Sequence, residues 1–228
     1  DDIARSKIDV LAADLPHRPP FTLLLPIDGA NPDLIAATAV SMAAQRYQEW
    51  ALCLTSAHSP DAALTDAVAS IADARVKFTS SFPTPPGDWI IRLAPGDLVH
   101  EPALFAVANA IIQNPSAAVV YTDHDHLGPD GRFFDPHMKP DWNPDLLSGI
   151  EYFSVLTAYR ADLWDAHARV ADTEHDLARR ATARLKEDQV VHLPYVLATR
   201  PVAGDGTHLI PPIVKVDHPL SDPRPRVS

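Results

Sequence analysis

Phe21-Thr22-Leu23-Leu24-Leu25-Pro26-Ile27, followed by Asp28-Gly29-Ala30-Asn31, decides the fold class. A short, nearly all-apolar run closed by turn residues reads as a strand buried on both faces. Residues 33–46 come next, with Leu34, Ile35, Ala37, Thr38, Val40, Ser41, Ala44 and Gln45 at helical spacing. Asn31 or Asp33 is placed to cap that helix, with Pro32 near its first turn. Trp50-Ala51-Leu52-Cys53-Leu54-Thr55 is a second buried strand. The same alternation continues downstream. Residues 61–73 read as a helix, Arg75 to Thr79 and Trp89 to Leu93 as strands, Pro102 to Ile112 as a helix, and Ala117 to Thr122 as a fifth strand. Upstream, residues 1–15 form a short helix on Ile3, Ile8, Leu11 and Leu15, which Pro16, Pro19 and Pro20 end. Strands and helices alternating at this spacing predict βαβ units, an α/β fold with a mostly parallel sheet.

After Asp123 the pattern changes. Residues 123–148 read as a Pro/Gly/Asp-rich loop, Tyr152 to Arg160 as a strand, and Leu163 to Arg169 as a short helix. Glu174 to Leu185 is a helix with Leu177, Ala178, Ala181 and Leu185 on one face. Val190 to Pro194 reads as a short strand, and Val196 to Thr199 ends the compact pattern. A compact domain over residues 1–200 is expected, with the Pro-rich residues 201–228 as an extended linker.

Composition narrows the function. The 228 residues carry a net charge of -11, a poor match for nucleic acid or an anionic membrane surface. Hydrophobic residues at 46% and charged residues at 21% are globular values. Pro, at 23 residues, is about twice its usual share, so many loops are stiffened. The single cysteine, Cys53, excludes an internal disulfide framework and a Cys-based zinc site. No apolar run is long enough for a transmembrane segment and no signal segment opens the chain, so a cytoplasmic location is expected.

Ligands of an open parallel sheet gather beyond the carboxyl ends of its strands. Those ends are Pro26 to Asn31, Ser56 to Asp61, Ala94 to Asp97 and Asp123 to His126. Neither GxGxxG, GxxxxGK[ST] nor GxSxG occurs, which removes the usual dinucleotide, P-loop and hydrolase readings. The densest polar cluster is Asp123-His124-Asp125-His126. Alternation puts the two carboxylates on one side and the two imidazoles on the other. The carboxylates suit a hard cation and the imidazoles a transition metal; a solvated, Asp-capped turn is the other reading.

Tyr121-Thr122-Asp123-His124-Asp125, then Asp130-Gly131-Arg132, then Lys139-Pro140-Asp141-Trp142-Asn143-Pro144-Asp145-Leu146-Leu147 resemble bacterial family 2 glycosyltransferases. The branch resembled is the one in large polysaccharide-assembly proteins with several transferase domains. Lys139 to Leu147 is its most specific stretch. Gly87-Asp88-Trp89-Ile90, Glu174-His175-Asp176-Leu177 and His192-Leu193-Pro194 also match, and the likeness covers about residues 1–200. It implies a GT-A fold, a three-layer α/β sandwich with a nucleotide-sugar half and an acceptor half. It also implies a nucleotide sugar and a glycan acceptor as partners, a divalent cation (Mg or Mn), and a linker over Asp217 to Ser228 into an adjacent transferase domain.

Such chemistry needs a cation to offset charge on the diphosphate leaving group, a carboxylate base, and in-line positioning. By resemblance, Glu174 and Asp176 are the catalytic carboxylates. Pro26, Asp28, Ser56 and Asp97 lie at nucleotide-sugar-binding positions, and Asp123, Asp125, Lys139 and Trp142 on the acceptor side. Several motifs are depleted. The family's Asp-X-Asp stretch is Ala94-Pro95-Gly96-Asp97, which leaves Asp97 as the remnant metal ligand. Its nucleoside-reading acids are Ser56-Ala57, its Asn/Gly-rich helical segment is cut to Ser80–Pro86, and its late metal-binding His is missing from Leu197-Ala198-Thr199-Arg200. Lys139 is expected to pair internally with Asp123 or Asp125 in preference to phosphate. Trp142 is expected to plug the two halves together, with stacking on a sugar as the alternative. His17, His192 and His218 are assigned no role.

Overall fold

The computed structural model describes residues 2–56, 59, 62–79, 88–168 and 173–202. Helix α1 (Asp2–Ala13) precedes β1 (Phe21–Pro26), α2 (Pro32–Ala43), β2 (Trp50–Thr55), α3 (Ala62–Ser70), β3 (Val76–Thr79) and β4 (Trp89–Arg92). A two-residue strand β5 (Leu98–Val99) leads into α4 (Ala103–Gln113), β6 (Val119–Leu127), β7 (Phe133–His137) and α5 (Pro144–Gly149). The chain continues through β8 (Thr157–Arg160), α6 (Ala161–His167), α7 (Glu174–Thr182) and β9 (Val190–Pro201).

The strands form one sheet in the order β3-β2-β1-β4-β8-β6-β9-β5, with β7 paired to β6. β1 to β4 run parallel, as do β6 and β9, while β8 runs antiparallel between β4 and β6. Period-2 alternation splits the apolar runs between two cores. Leu23, Leu25, Leu52, Leu54 and Ile91 face one cluster with α2, α3 and α4. Leu24, Cys53, Ile90, Val119 and Tyr121 face the other, against α5, α6 and α7. This is the expected three-layer α/β sandwich. Each fully buried Leu or Ile contributes about 1.5–3 kcal/mol of burial, so the sheet is the rigid element on which the site is built.

Three expectations are corrected. Asp123 to Leu127 is strand, because β6 continues to Leu127 and pairs with both β7 and β9. The late strand is longer than expected: β9 runs from Val190 to Pro201 and follows β6 through register shifts at Thr122/Asp123 and Asp123/His124. Only Thr157 to Arg160 of the segment from Tyr152 is strand, since Val155 (φ 27°) and Leu156 (φ 58°) break the extended path. Asn31 caps α2 as expected, its side chain accepting the Asp33 N–H at 2.9 Å. The shortened segment at Ser80–Pro86 and the linker beyond Val202 lie outside the described residues. No helix among the described residues is long and apolar enough to cross a membrane.

Candidate functional site

Between β1 and β4 the strand order reverses, and in an open α/β sheet ligands gather beyond the carboxyl ends of the strands at such a point. Asp28 lies just past β1 and accepts a hydrogen bond from the Ser56 hydroxyl just past β2. The expected nucleotide positions Pro26, Asp28 and Ser56 therefore share one end of the sheet.

The loop that carries Asp97 is fastened by α2. Thr38 and Ser41 lie on α2 and Gln45 just past its end, at three- and four-residue spacing. The Thr38 hydroxyl accepts the Gly96 N–H at 2.9 Å, and the Ser41 hydroxyl accepts the Val99 N–H at 3.1 Å. The buried Gln45 amide donates to the Val99 and His100 carbonyls, and its oxygen accepts the Leu104 N–H. Gly96 holds φ +98°, and a Cβ there would come within 3.0 Å of Pro201 Cγ and 3.2 Å of Leu34 Cδ2. Glycine is thus required by both backbone and space.

Asp97 is 1% exposed. Its carboxylate accepts the Ala94 N–H at 2.8 Å and two guanidinium bonds from Arg200, Nε at 2.8 Å and Nη2 at 2.9 Å. This fork-on-carboxylate pairing is the strong form of ion pair. Arg200 comes from the end of β9, so the pair ties this loop to the far half of the sheet.

Glu174 opens α7 and lines a small cleft with Arg92, Phe153, Ser154, Val155, Thr157 and Tyr159. Arg92 Nε stands 3.7 Å from Glu174 Oε1. Burial pushes the Glu174 carboxyl above its usual range, while Arg92 and then Arg200 pull it back. A carboxyl so placed can accept a proton near neutrality more readily than an exposed one. Asp176 is placed differently: Arg180 holds it one turn along the helix at 2.6 Å.

Lys139 is 3% exposed. Its ammonium donates to the Ser154 carbonyl at 2.5 Å. Its hydrogen bond to Asp123 is made by the backbone N–H at 2.7 Å, so the carbonyl of Ser154, and not an Asp carboxylate, takes the ammonium's hydrogen bond. Burial draws the ammonium pKa down to about 7. Ser154 directly precedes the left-handed Val155 and Leu156, conformations that cost about 1–3 kcal/mol each in non-glycine residues. Lys139 therefore braces the strained wall of the Glu174 cleft.

Asp123, fully buried, also accepts His192 Nε2 at 2.9 Å, and His192 Nδ1 meets Asp141 at 3.0 Å. The His192 ring stacks on Tyr121, with centroids 4.7 Å apart. Asp125 accepts the Thr199 hydroxyl, which in turn meets His100 Nε2 at 2.9 Å. Trp142 packs against the α5–α7 core, with its indole nitrogen buried and unpartnered.

Two groups emerge from the expected positions: Asp28 with Ser56, and Asp97 with Glu174 through the intervening Arg200 field. Asp123 and Lys139 meet beside β6, and the Lys139 ammonium reaches the Glu174 cleft through Ser154. Sequence reasoning missed Arg92, Arg200, His192 and Thr199. Charged residues at the ends of apolar strands, Trp89-Ile90-Ile91-Arg92 and Leu197-Ala198-Thr199-Arg200, were the available signal for the two arginines.

No family model matches the chain. It is 29% identical over 211 residues to the uncharacterized protein y4gI of Sinorhizobium fredii, covering 84% of this chain and 23% of that protein. It is 31% identical over 165 residues to the O-antigen biosynthesis protein RfbC of Myxococcus xanthus, covering 66% of this chain and 13% of that protein. The chain thus spans less than a quarter of the length of these relatives. Among solved structures, S. aureus TarS 1-349 in complex with UDP superposes with TM-score 0.60 at 14% identity, over 81% of this chain and 61% of that one. The TarS complex with UDP-GlcNAc gives 0.58 at 13% identity, over 83% and 60%. Mycobacterium tuberculosis glucosyl-3-phosphoglycerate synthase, in complex with Mg2+ and UDP, gives 0.51 at 12%, over 90% and 76%. At these identities the likeness is one of architecture, and it establishes that the chain has the GT-A fold.

Proposed function

We propose that this chain is a family 2 glycosyltransferase-like domain whose metal and nucleotide motifs are degenerate. On this reading it transfers sugar weakly or not at all by the metal-dependent route. The GT-A fold and the identity to RfbC support the transferase ancestry. The observation that carries the rest is the state of Asp97. Both of its oxygens are engaged by Arg200 and the Ala94 N–H, and Ala94 and Gly96 bring no side-chain oxygen. Magnesium and manganese need several oxygen ligands near octahedral geometry. The residues at this strand end therefore do not fit a cation, and a guanidinium stands against the carboxylate instead.

The Glu174 cleft supports a residual role. Glu174 is the candidate base, with Arg92 as the nearby cation for a negatively charged donor, and Asp28 and Ser56 lie on the nucleoside side. The acceptor side would fall near β6, around Asp123, Asp125, Lys139 and Trp142.

The relatives are more than four times as long as the stretch they share with this chain, which favours a second reading for the whole protein. There the domain is a non-catalytic scaffold or glycan-binding module beside a catalytic transferase domain. Calorimetry with UDP and UDP-sugars, in Mn2+ and in chelator, tests the proposal. Binding that is absent, or equal in both conditions and without sugar transfer, is expected. Micromolar binding that requires Mn2+, together with turnover, would overturn it.

A further inference from the structure

The β6–β7 hairpin carries a cluster that the transferase reading does not use. His124 and His126 alternate onto one side of β6, and β7 brings His137 directly opposite His124. The His124 and His137 rings stack with centroids 4.7 Å apart. His126 lies 5.4 Å from His124 and 4.8 Å from His137, edge-on to both. One ligand nitrogen from each of the three falls within 4.8 Å of the others.

The hydrogen bonding is unusual for buried imidazoles. His124 Nδ1 and His126 Nδ1 are both buried without a hydrogen-bond partner. A buried polar nitrogen left unmatched costs about 1–3 kcal/mol, and two on one face call for an explanation. Asp135 supplies a further feature. It sits at φ 49°, and its carboxylate lies 3.2 Å from His137 Nε2 and 3.7 Å from His126 Nδ1. A carboxylate that takes one ring nitrogen and fixes the orientation of the other is the usual support of a metal-bound histidine.

We propose that His124, His126 and His137 form a binding site for one divalent transition ion of the zinc class, with Asp135 as the carboxylate that orients His137. Imidazole donors select zinc, nickel, copper or cobalt over magnesium and manganese. Nitrogens bonded to tetrahedral zinc stand about 3.3 Å apart, given metal–nitrogen bonds near 2.05 Å. Small ring rotations on the hairpin, whose His137 end is exposed, close the remaining gap. Three protein ligands leave a fourth position for water or an external group. The transferase reading gives none of these three histidines a role, so the ion can be tested apart from sugar transfer.

Calorimetry of the full, tag-free chain with Zn2+ tests this, with Co2+ absorption reporting the ligand geometry. One ion per chain at low micromolar affinity or tighter is expected, unaffected by excess Mg2+. His137→Gln and His126→Gln should each weaken it by about tenfold or more, and Asp135→Ala by a smaller factor. His17→Gln, on a distant loop, should leave it unchanged. Circular dichroism confirms that each variant is folded; His137 is exposed enough that its variant keeps the fold. Absence of saturable binding to the wild type would overturn the proposal. So would an affinity that neither His137→Gln nor His126→Gln changes.

Discussion

The two halves of the sheet treat their polar residues in opposite ways. At the carboxyl ends of β1, β2 and β4 side-chain chemistry is sparse: Asp28 with Ser56, and Asp97 held by Arg200. Around β6 and β9 it is dense, with Asp123, His192 and Asp141 in one chain, Asp125, Thr199 and His100 in another, and three histidines clustered on the β6–β7 hairpin. The first region is sparse although its strands form the parallel part of the sheet, and the second holds most of the buried charged side chains among the described residues. Architecture and local side-chain chemistry are therefore separate matters within a single sheet.

The largest test of this contrast is Asp123→Ala. It strips the acceptor from the Lys139 N–H and from His192 in a fully buried setting. A loss of about 3–5 kcal/mol in urea unfolding is expected. Arg200→Gln comes next. It removes both guanidinium bonds from the buried Asp97 carboxylate, but Arg200 is itself 32% exposed, so the cost should be nearer about 2 kcal/mol. If the Asp97 end were as densely supported as the β6 end, the two variants would cost the same.

A smaller, pH-dependent change is expected for Glu174→Gln. The folded carboxyl titrates above its unfolded value, so the native state binds the extra proton and stability falls as pH rises through that window. The variant should lack this fall, so its unfolding midpoint relative to wild type should improve from acid toward neutral pH. A parallel pair of pH–stability curves would remove Glu174 as a buried carboxyl. Asp176→Ala should do least. It breaks an exposed one-turn pair with Arg180, worth about 0.5 kcal/mol by thermal unfolding.

The legibility of the sequence follows the same divide. Phe21 to Ile27, Trp50 to Thr55 and Trp89 to Leu93 were readable because buried parallel strands are continuous apolar runs. Asp123 to Leu127 was not, because Asp-His-Asp-His has the composition of a loop. It is strand because distant groups satisfy it: Thr199 for Asp125, His192 and the Lys139 main chain for Asp123. Those partners lie 16 to 74 residues away, beyond any local pattern. His192 escaped notice for the same reason. The GT-A resemblance singled out Asp97 and Glu174, but neither arginine beside them belongs to a motif. The bracing of Ser154 by a buried lysine also has no local signature.

The Arg200–Asp97 pair has one more consequence. An ion drawn from solution comes and goes with its concentration, whereas a guanidinium tethered to β9 is always present. Charge balance at this end of the sheet is thus inherited with the chain, and the local shape should be indifferent to swings in cellular magnesium.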